Sequence, residues 1–321
     1  MEPSKNLRNP FGGMDQVRMN PPAASQDLIG SAGPTDPGVG FLSVQAADGR
    51  PIALLANYSL RHVGGKDPGD ISADYYGAFA ARIEESLGAT RQDPPFVGIL
   101  SNGTGGDINN VDFRKPSERL PHYAKIRTVA GELADKILEA SRGLTFHDWV
   151  ELKVGYRESE LATRRPTTAQ IDWAQRLLRQ PSGQMPYHIN EKIYAGRTML
   201  MAAYPERINF PLQALGVGDP AILTVPVEAF AEIGLTLKAK SPFSSTFTIG
   251  LANGYFGQPL PDPKPLKIQL PISSQWAVER PGAFARRTAR RPRCRDRRSH
   301  TNNARRTLTF PLPPAVRQSP A

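Results

Sequence analysis

The chain has 321 residues, with 40 Lys+Arg, 30 Asp+Glu, five His and a single Cys, and carries a formal net charge of +10. That length allows one large domain or two ordinary ones with a substantial core. From Arg280 onward twelve Arg face one acid, Asp296, so the last 42 residues hold +11 and residues 1–279 hold −1; a neutral body lacks the electrostatic footprint of a nucleic-acid binder.

Residues 1–40 are rich in Pro, Gly and Asn, with turn pairs at Asn20-Pro21, Gly33-Pro34 and Asp36-Pro37. Such a stretch reads as a connection inside a domain, which predicts further chain upstream. It contains no apolar run of the signal-peptide kind. Gly40–Val44 and Pro51–Tyr58 flank Ala46-Ala47-Asp48-Gly49 and predict a β-hairpin. The second strand is apolar over Ile52–Ala56 and is expected to be buried on both faces. Asp74–Leu87 has helical spacing, with Ser72 as its cap. Pro95–Ser101 predicts a short buried strand that runs into a glycine-rich loop. A helix over Tyr123–Ser141 follows, then an alternating strand over Trp149–Tyr156 and helices over Thr168–Leu178 and Ile189–Ala203. Ile208–Leu215 and Ala221–Val227 form a second hairpin across Gly216–Asp219. Phe230–Lys238 is a short helix and Thr246–Leu251 a last strand.

Hairpins mixed with crossovers predict an α/β fold, a mixed β-sheet flanked by helices. After Gly257 the periodicity ends. Residues 258–321 are Pro/Arg-rich, like an out-of-frame reading of GC-rich DNA, and are expected to be disordered; residues 1–257 form the domain. Cys294 alone excludes a disulfide scaffold or a Cys-based zinc ribbon. No apolar run is long enough for a transmembrane segment.

Three constellations are candidates for chemistry. In Asn57–His62 an apolar strand ends in a polar cluster. There His62 is either a metal ligand facing a cleft or a satisfied structural His. In Ser101–Asn110 a strand enters Asn102-Gly103-Thr104-Gly105-Gly106-Asp107. This loop either lines an anion or oxyanion site with its amides, or is a tight turn whose glycines supply positive φ. It matches neither phosphate-binding glycine motif. Pro226-Val227-Glu228 and Asn253-Gly254-Tyr255 stand at two further strand ends, and Glu228 is expected at a helix N-terminus, where its charge is favoured.

With Val17–Pro21, Ala32–Pro37 and Ser72–Gly77, these segments occur in the order seen in the neutral/alkaline non-lysosomal ceramidases. Over about residues 10–257 the chain resembles the catalytic domain of that family, in particular its short bacterial relatives. The resemblance implies a ceramidase-like fold, truncated at its N-terminus, with one zinc held by two His, a Glu and a Tyr, and hydrolysis of a lipid-like amide. Glu228 looks like the family's Glu and Tyr255 like its Tyr. The first His directly follows the residue matching Leu60, so the aligned position is Arg61, and His62 stands one step later. Side chains alternate along a strand; either the backbone slips to present His62 or this ligand is damaged. The other His lies upstream. After Gly106-Asp107 the family places a nucleophilic Ser, and Asn109 stands there. An amide cannot attack a carbonyl, but it can donate to an oxyanion.

The reading is therefore a zinc metallohydrolase for an amide or ester, impaired by truncation, with His62, Glu228 and Tyr255 on Zn2+. Gly106, Asp107 and Asn109 are its catalytic candidates. A catalytically inactive fold remnant or binding module is the alternative. The substrate is a small-molecule or lipid-like amide, no nucleic acid is bound, and the family's export signals imply an exported parent protein.

Overall fold

The computed structural model describes residues 8–13, 17–18, 20–181, 186–259, 268–269 and 276–278. The mixed α/β class holds, but two mixed sheets form the frame where one was expected. Two further small pairings involve β1 (Val17–Arg18), β2 (Leu28–Ser31) and β12 (Trp276–Val278), and β10 (Gln258–Pro259) with β11 (Ile268–Gln269). The rest of the expected tail, including Cys294 and all of the unit Gly282–Ala321, lies outside the described residues.

In the first sheet β3 (Gly40–Gln45) pairs antiparallel with β4 (Pro51–Tyr58), which pairs parallel with β5 (Val97–Asn102). The β3–β4 turn closes with Gly49 at φ 86°, where glycine carries no Cβ penalty. The crossover from β4 to β5 is α1 (Asp74–Ser86), and α2 (Ala124–Ser141) packs beside it. Together they cover one face. Leu54, Ala56 and Leu100 from the sheet join Tyr75, Phe79 and Ile83 of α1 and Ile126, Leu133 and Ile137 of α2 in one buried core. Gly98 allows close contact, since a Cβ there would lie 3.0 Å from the Ala80 carbonyl oxygen of α1.

β4 departs from its expected burial on both faces. Ile52 is 40% exposed, and Val97 and Ile99 of β5 are 51% and 44% exposed. Helices cover one side only, so the apolar run Ile52–Ala56 is fully sequestered only at alternate positions. On the other side β9 (Ser245–Gly250) crosses the C-terminal end: the Asn57 amide donates to the Thr248 carbonyl at 3.2 Å, and Phe247 sits against Gly40.

The second sheet runs β6 (Leu152–Ala162), β7 (Arg207–Val217), β8 (Pro220–Val225), β9, antiparallel except for the parallel pair β8–β9. β6 begins later than Trp149 and extends to Ala162, because its bounds follow the eleven-residue register of β7. A helical pair, α3 (Thr168–Leu178) and α4 (Glu191–Ala203), connects β6 to β7 and packs through Ala174, Leu177 and Ala195. Thr167 and Gln170 start α3 with a reciprocal capping box. The crossover from β8 to β9 is α5 (Ala231–Lys240). No described helix is long and apolar enough to cross a membrane.

Candidate functional site

Each sheet contributes one parallel pair, and the loops leaving the carboxyl ends of all four strands touch one another. In open α/β sheets this is where ligands bind. The glycine loop after β5 is the hub. A Cβ on Gly103 would lie 2.6 Å from Ser59 Oγ, one on Gly105 3.0 Å from the Leu60 amide, and one on Gly106 2.3 Å from the Glu228 carbonyl oxygen. A Cβ on Gly250, at the end of β9, would meet the Gly103 carbonyl oxygen at 3.0 Å.

None of Gly103, Gly105 and Gly106 has positive φ. These glycines are needed for close backbone approach, not for turn conformation, which corrects one of the two expectations for the loop. Its amides are also largely spent. Gly103 donates to the Tyr58 carbonyl (2.8 Å), Thr104 to Ser59 Oγ (3.1 Å), Gly106 to the Ala229 carbonyl (2.9 Å) and Ile108 to the Gly105 carbonyl (3.1 Å). Four N–H groups that might have cradled an anion hold the loop between its neighbours instead.

Glu228 stands three residues before α5 begins, outside its first turn. The helix N-terminus belongs to Asp107, whose Oδ1 accepts from the Ala231 N–H at 2.9 Å. Burial raises the Asp107 pKa above the usual carboxylate range, and the hydrogen bond from Ala231 opposes the shift. Asp107 thus ties the glycine loop to α5, a positional role.

The partner of Glu228 in the cleft is Arg61. One guanidinium nitrogen lies 3.1 Å from Glu228 Oε2, and the other donates to the Gly106 carbonyl at 3.1 Å. The carboxylate is largely covered, with 17% of its side chain exposed against 40% for Arg61. The backbone does not slip to bring His62 in. The His62 ring packs edge-on against Tyr76 at 5.8 Å between centroids, and its carbonyl accepts from the Asn110 amide. Asp74, at the start of α1, fixes this corner by accepting from the Val63 and Gly64 amides at 2.9 and 2.8 Å.

Tyr255 arrives on a sharp reversal after β9, in which Leu251, Asn253 and Gly254 all have positive φ. The reversal is laced to the other loop: Phe256 donates to the Pro226 carbonyl and Glu228 to the Gly257 carbonyl. Tyr255 is 59% exposed. Its pKa is raised, chiefly by partial burial and then by the Glu228 charge, while Arg197 and Arg61 pull it down; the phenol keeps its proton at neutral pH. Asn109 lies on the far side of the loop, where its amide donates to Asn20 Oδ1. It lines a cavity of about 510 Å³ in which apolar Val39, Leu60, Val129 and Leu133 stand beside the charged Asp112, Arg114, Glu132 and Lys136. Tyr58 also lines it, with a pKa raised by burial and by Glu132 and Asp36. The predicted residues thus divide: Gly106, Glu228 and Tyr255 meet around Arg61, His62 sits apart against Tyr76, and Asn109 opens onto the cavity.

Sequence reasoning missed two contributors. Asp36 is buried, holds Lys238 of α5 at 2.6 Å and receives Ser59 Oγ at 3.5 Å. Arg197 of α4 stands within electrostatic reach of Tyr255 and over the Tyr194 ring at 5.5 Å. The Thr35-Asp36-Pro37 turn was the only signal for Asp36, and nothing local marks Arg197.

The donor set does not fit a divalent metal ion as it stands. Among the described residues no three His, Cys, Asp or Glu side chains group together. Glu228 is engaged by a permanent cation, and Tyr255 is a protonated phenol.

No protein-family model matches the chain, and no curated protein matches it. Among the solved structures that match are two ceramidases. One is described as neutral ceramidase from Pseudomonas aeruginosa, at 15% identity and a TM-score of 0.50, over 70% of this chain and 41% of that one. The other, described as a ceramidase complexed with C2, has 14% identity and a TM-score of 0.48, over 70% and 42%. The fold is ceramidase-like. The chain spans about two-fifths of the ceramidase chains it matches.

Proposed function

We propose that this chain is a ceramidase-like hydrolase domain for a lipid-like amide or ester in which turnover is impaired at the metal position. The observation that carries this reading is the convergence of four segments separated in sequence. Residues 57–62, 101–110 and 226–228 with 253–255 meet at the carboxyl ends of two parallel strand pairs, where α/β folds place ligands. The adjoining cavity supports the substrate class. Its volume of about 510 Å³ lies in the range of ligand pockets, part of its lining is apolar, and Asn109 offers an amide at its wall. An apolar chain suits the apolar part of the lining, and the Asn109 amide can donate to a carbonyl oxygen there. Impairment follows from the cleft's cation. A guanidinium can attract a carbonyl oxygen but does not lower the pKa of bound water as a metal does.

The test is binding and turnover of a fluorescent ceramide and a simple ester by the full chain, with and without added zinc. Saturable ceramide binding, weakened about tenfold or more by Val129→Trp in the cavity lining, with little hydrolysis, is expected. Rapid zinc-dependent turnover lost on Glu228→Ala would show an intact hydrolase. Failure to bind ceramide or ester would leave only the fold.

A further inference from the structure

We infer that the Arg61 guanidinium is the resident cation of this cleft, standing in for a metal ion and keeping divalent metals out. The inference rests on the functional reading only in taking the strand-end cleft as the site. Its geometry is independent of any substrate. Arg61 leaves the end of β4 and reaches across to two elements at once, Glu228 Oε2 and the Gly106 carbonyl oxygen, each at 3.1 Å. A carboxylate and a carbonyl oxygen are the donors a hard cation would use, and the guanidinium satisfies both.

Charge and cover make the exclusion strong. A dication bound to Glu228 would sit within a few ångströms of the guanidinium, and like charges that close repel steeply where solvent is partly excluded. Glu228 is mostly covered, so its charge must be compensated from inside the cleft. Arg61 compensates it in the folded chain without any ion. His62, the nearest imidazole in sequence, is held against Tyr76 and does not compete for the carboxylate. The cleft is thereby complete as an arginine–carboxylate site, with Tyr255 and Arg197 beside it.

The experiment measures zinc affinity and bound zinc per chain for the full-length protein and five variants, with thermal melts as folding controls. The wild type is expected to hold no stoichiometric zinc at micromolar free ion. Arg61→His removes the permanent charge and adds an imidazole. It should raise zinc affinity by more than the roughly 10-fold that the weakest outer-sphere partners are worth, and Glu228→Ala added to it should abolish the gain. Should Arg61→His not fold, Arg61→Ala and Arg61→Lys decide the matter: the first, lacking the charge, should bind zinc more tightly than the second, which keeps it. A wild-type chain that retains one zinc released by Glu228→Ala would overturn the inference. So would a folded Arg61→His with no gain, or equal affinities for the Ala and Lys variants. Ceramide binding by the wild-type chain is measured apart from these variants and reports separately on the functional reading.

Discussion

The two sheets share one device, a parallel strand pair whose carboxyl ends feed the cleft, but they are insulated from water very differently. In the first, α1 and α2 bury a continuous core over β4 and β5, with Tyr75, Phe79 and Ile83 fully inaccessible. In the second, β6 is open along most of its length, and Leu152 and Val154 are each 71% exposed. Burial in the second sheet concentrates on β8 and β9, the strands that lead to Glu228 and Tyr255. The difference shows where rigidity is required. The elements that aim Arg61, the glycine loop and Glu228 are packed on at least one side, while the antiparallel outer strands are covered only locally, where Phe210 of β7 packs against Val227 and Ala229.

The sharpest way to break that contrast is a core truncation. Phe79→Ala should destabilise the chain by about 3–5 kcal/mol in urea unfolding, since a fully buried aromatic leaves both lost transfer energy and a cavity. A cost below about 1 kcal/mol would mean that the first core is not the stabilising one. Gly106→Ala should rank next. Its Cβ meets the Glu228 carbonyl oxygen at 2.3 Å, and backbone has little room to yield. A loss of about 1–3 kcal/mol is expected, with ceramide binding reduced as well. Unchanged stability would show that the two sheets are not locked together at this loop.

A smaller effect sharpens the role of Asp107. Its folded pKa is raised, chiefly by burial, so between the unfolded and folded values the folded chain binds more protons than the unfolded one. Its contribution to stability therefore falls as pH rises from about 4 through the raised folded pKa. Asp107→Asn, which keeps an acceptor for the Ala231 N–H, should flatten that slope in melts taken across acidic pH. An identical slope in both proteins would place the titration elsewhere. The smallest effect belongs to the open strand. Val154→Ala should change stability by no more than about 0.5 kcal/mol, and a loss near that of Phe79→Ala would erase the distinction between the sheets.

Much of the architecture was written locally. Both hairpins and the helices α1 to α5 follow from side-chain periodicity, turn residues and Gly49, because those signals act over a few residues. The three chemical constellations were legible as polar clusters at strand ends. What sequence did not determine is what each cluster does once folded. β4 reads as buried on both faces, yet helices cover one side, since burial is set by neighbours and not by the strand's own composition. The loop glycines read as turn residues or an anion cradle, yet they serve close backbone contact, because their partners, Tyr58–Leu60 and Glu228–Ala229, lie some 45 and 120 positions away. Glu228 reads as a helix-capping acid, yet Asp107 takes that place across a long-range contact. Above all, Arg61 and His62 are adjacent in sequence, and only the tertiary path out of β4 decides that the guanidinium, not the imidazole, meets Glu228. Adjacent residues point different ways, and which of them faces a charge across the cleft is fixed by packing at both ends of the contact.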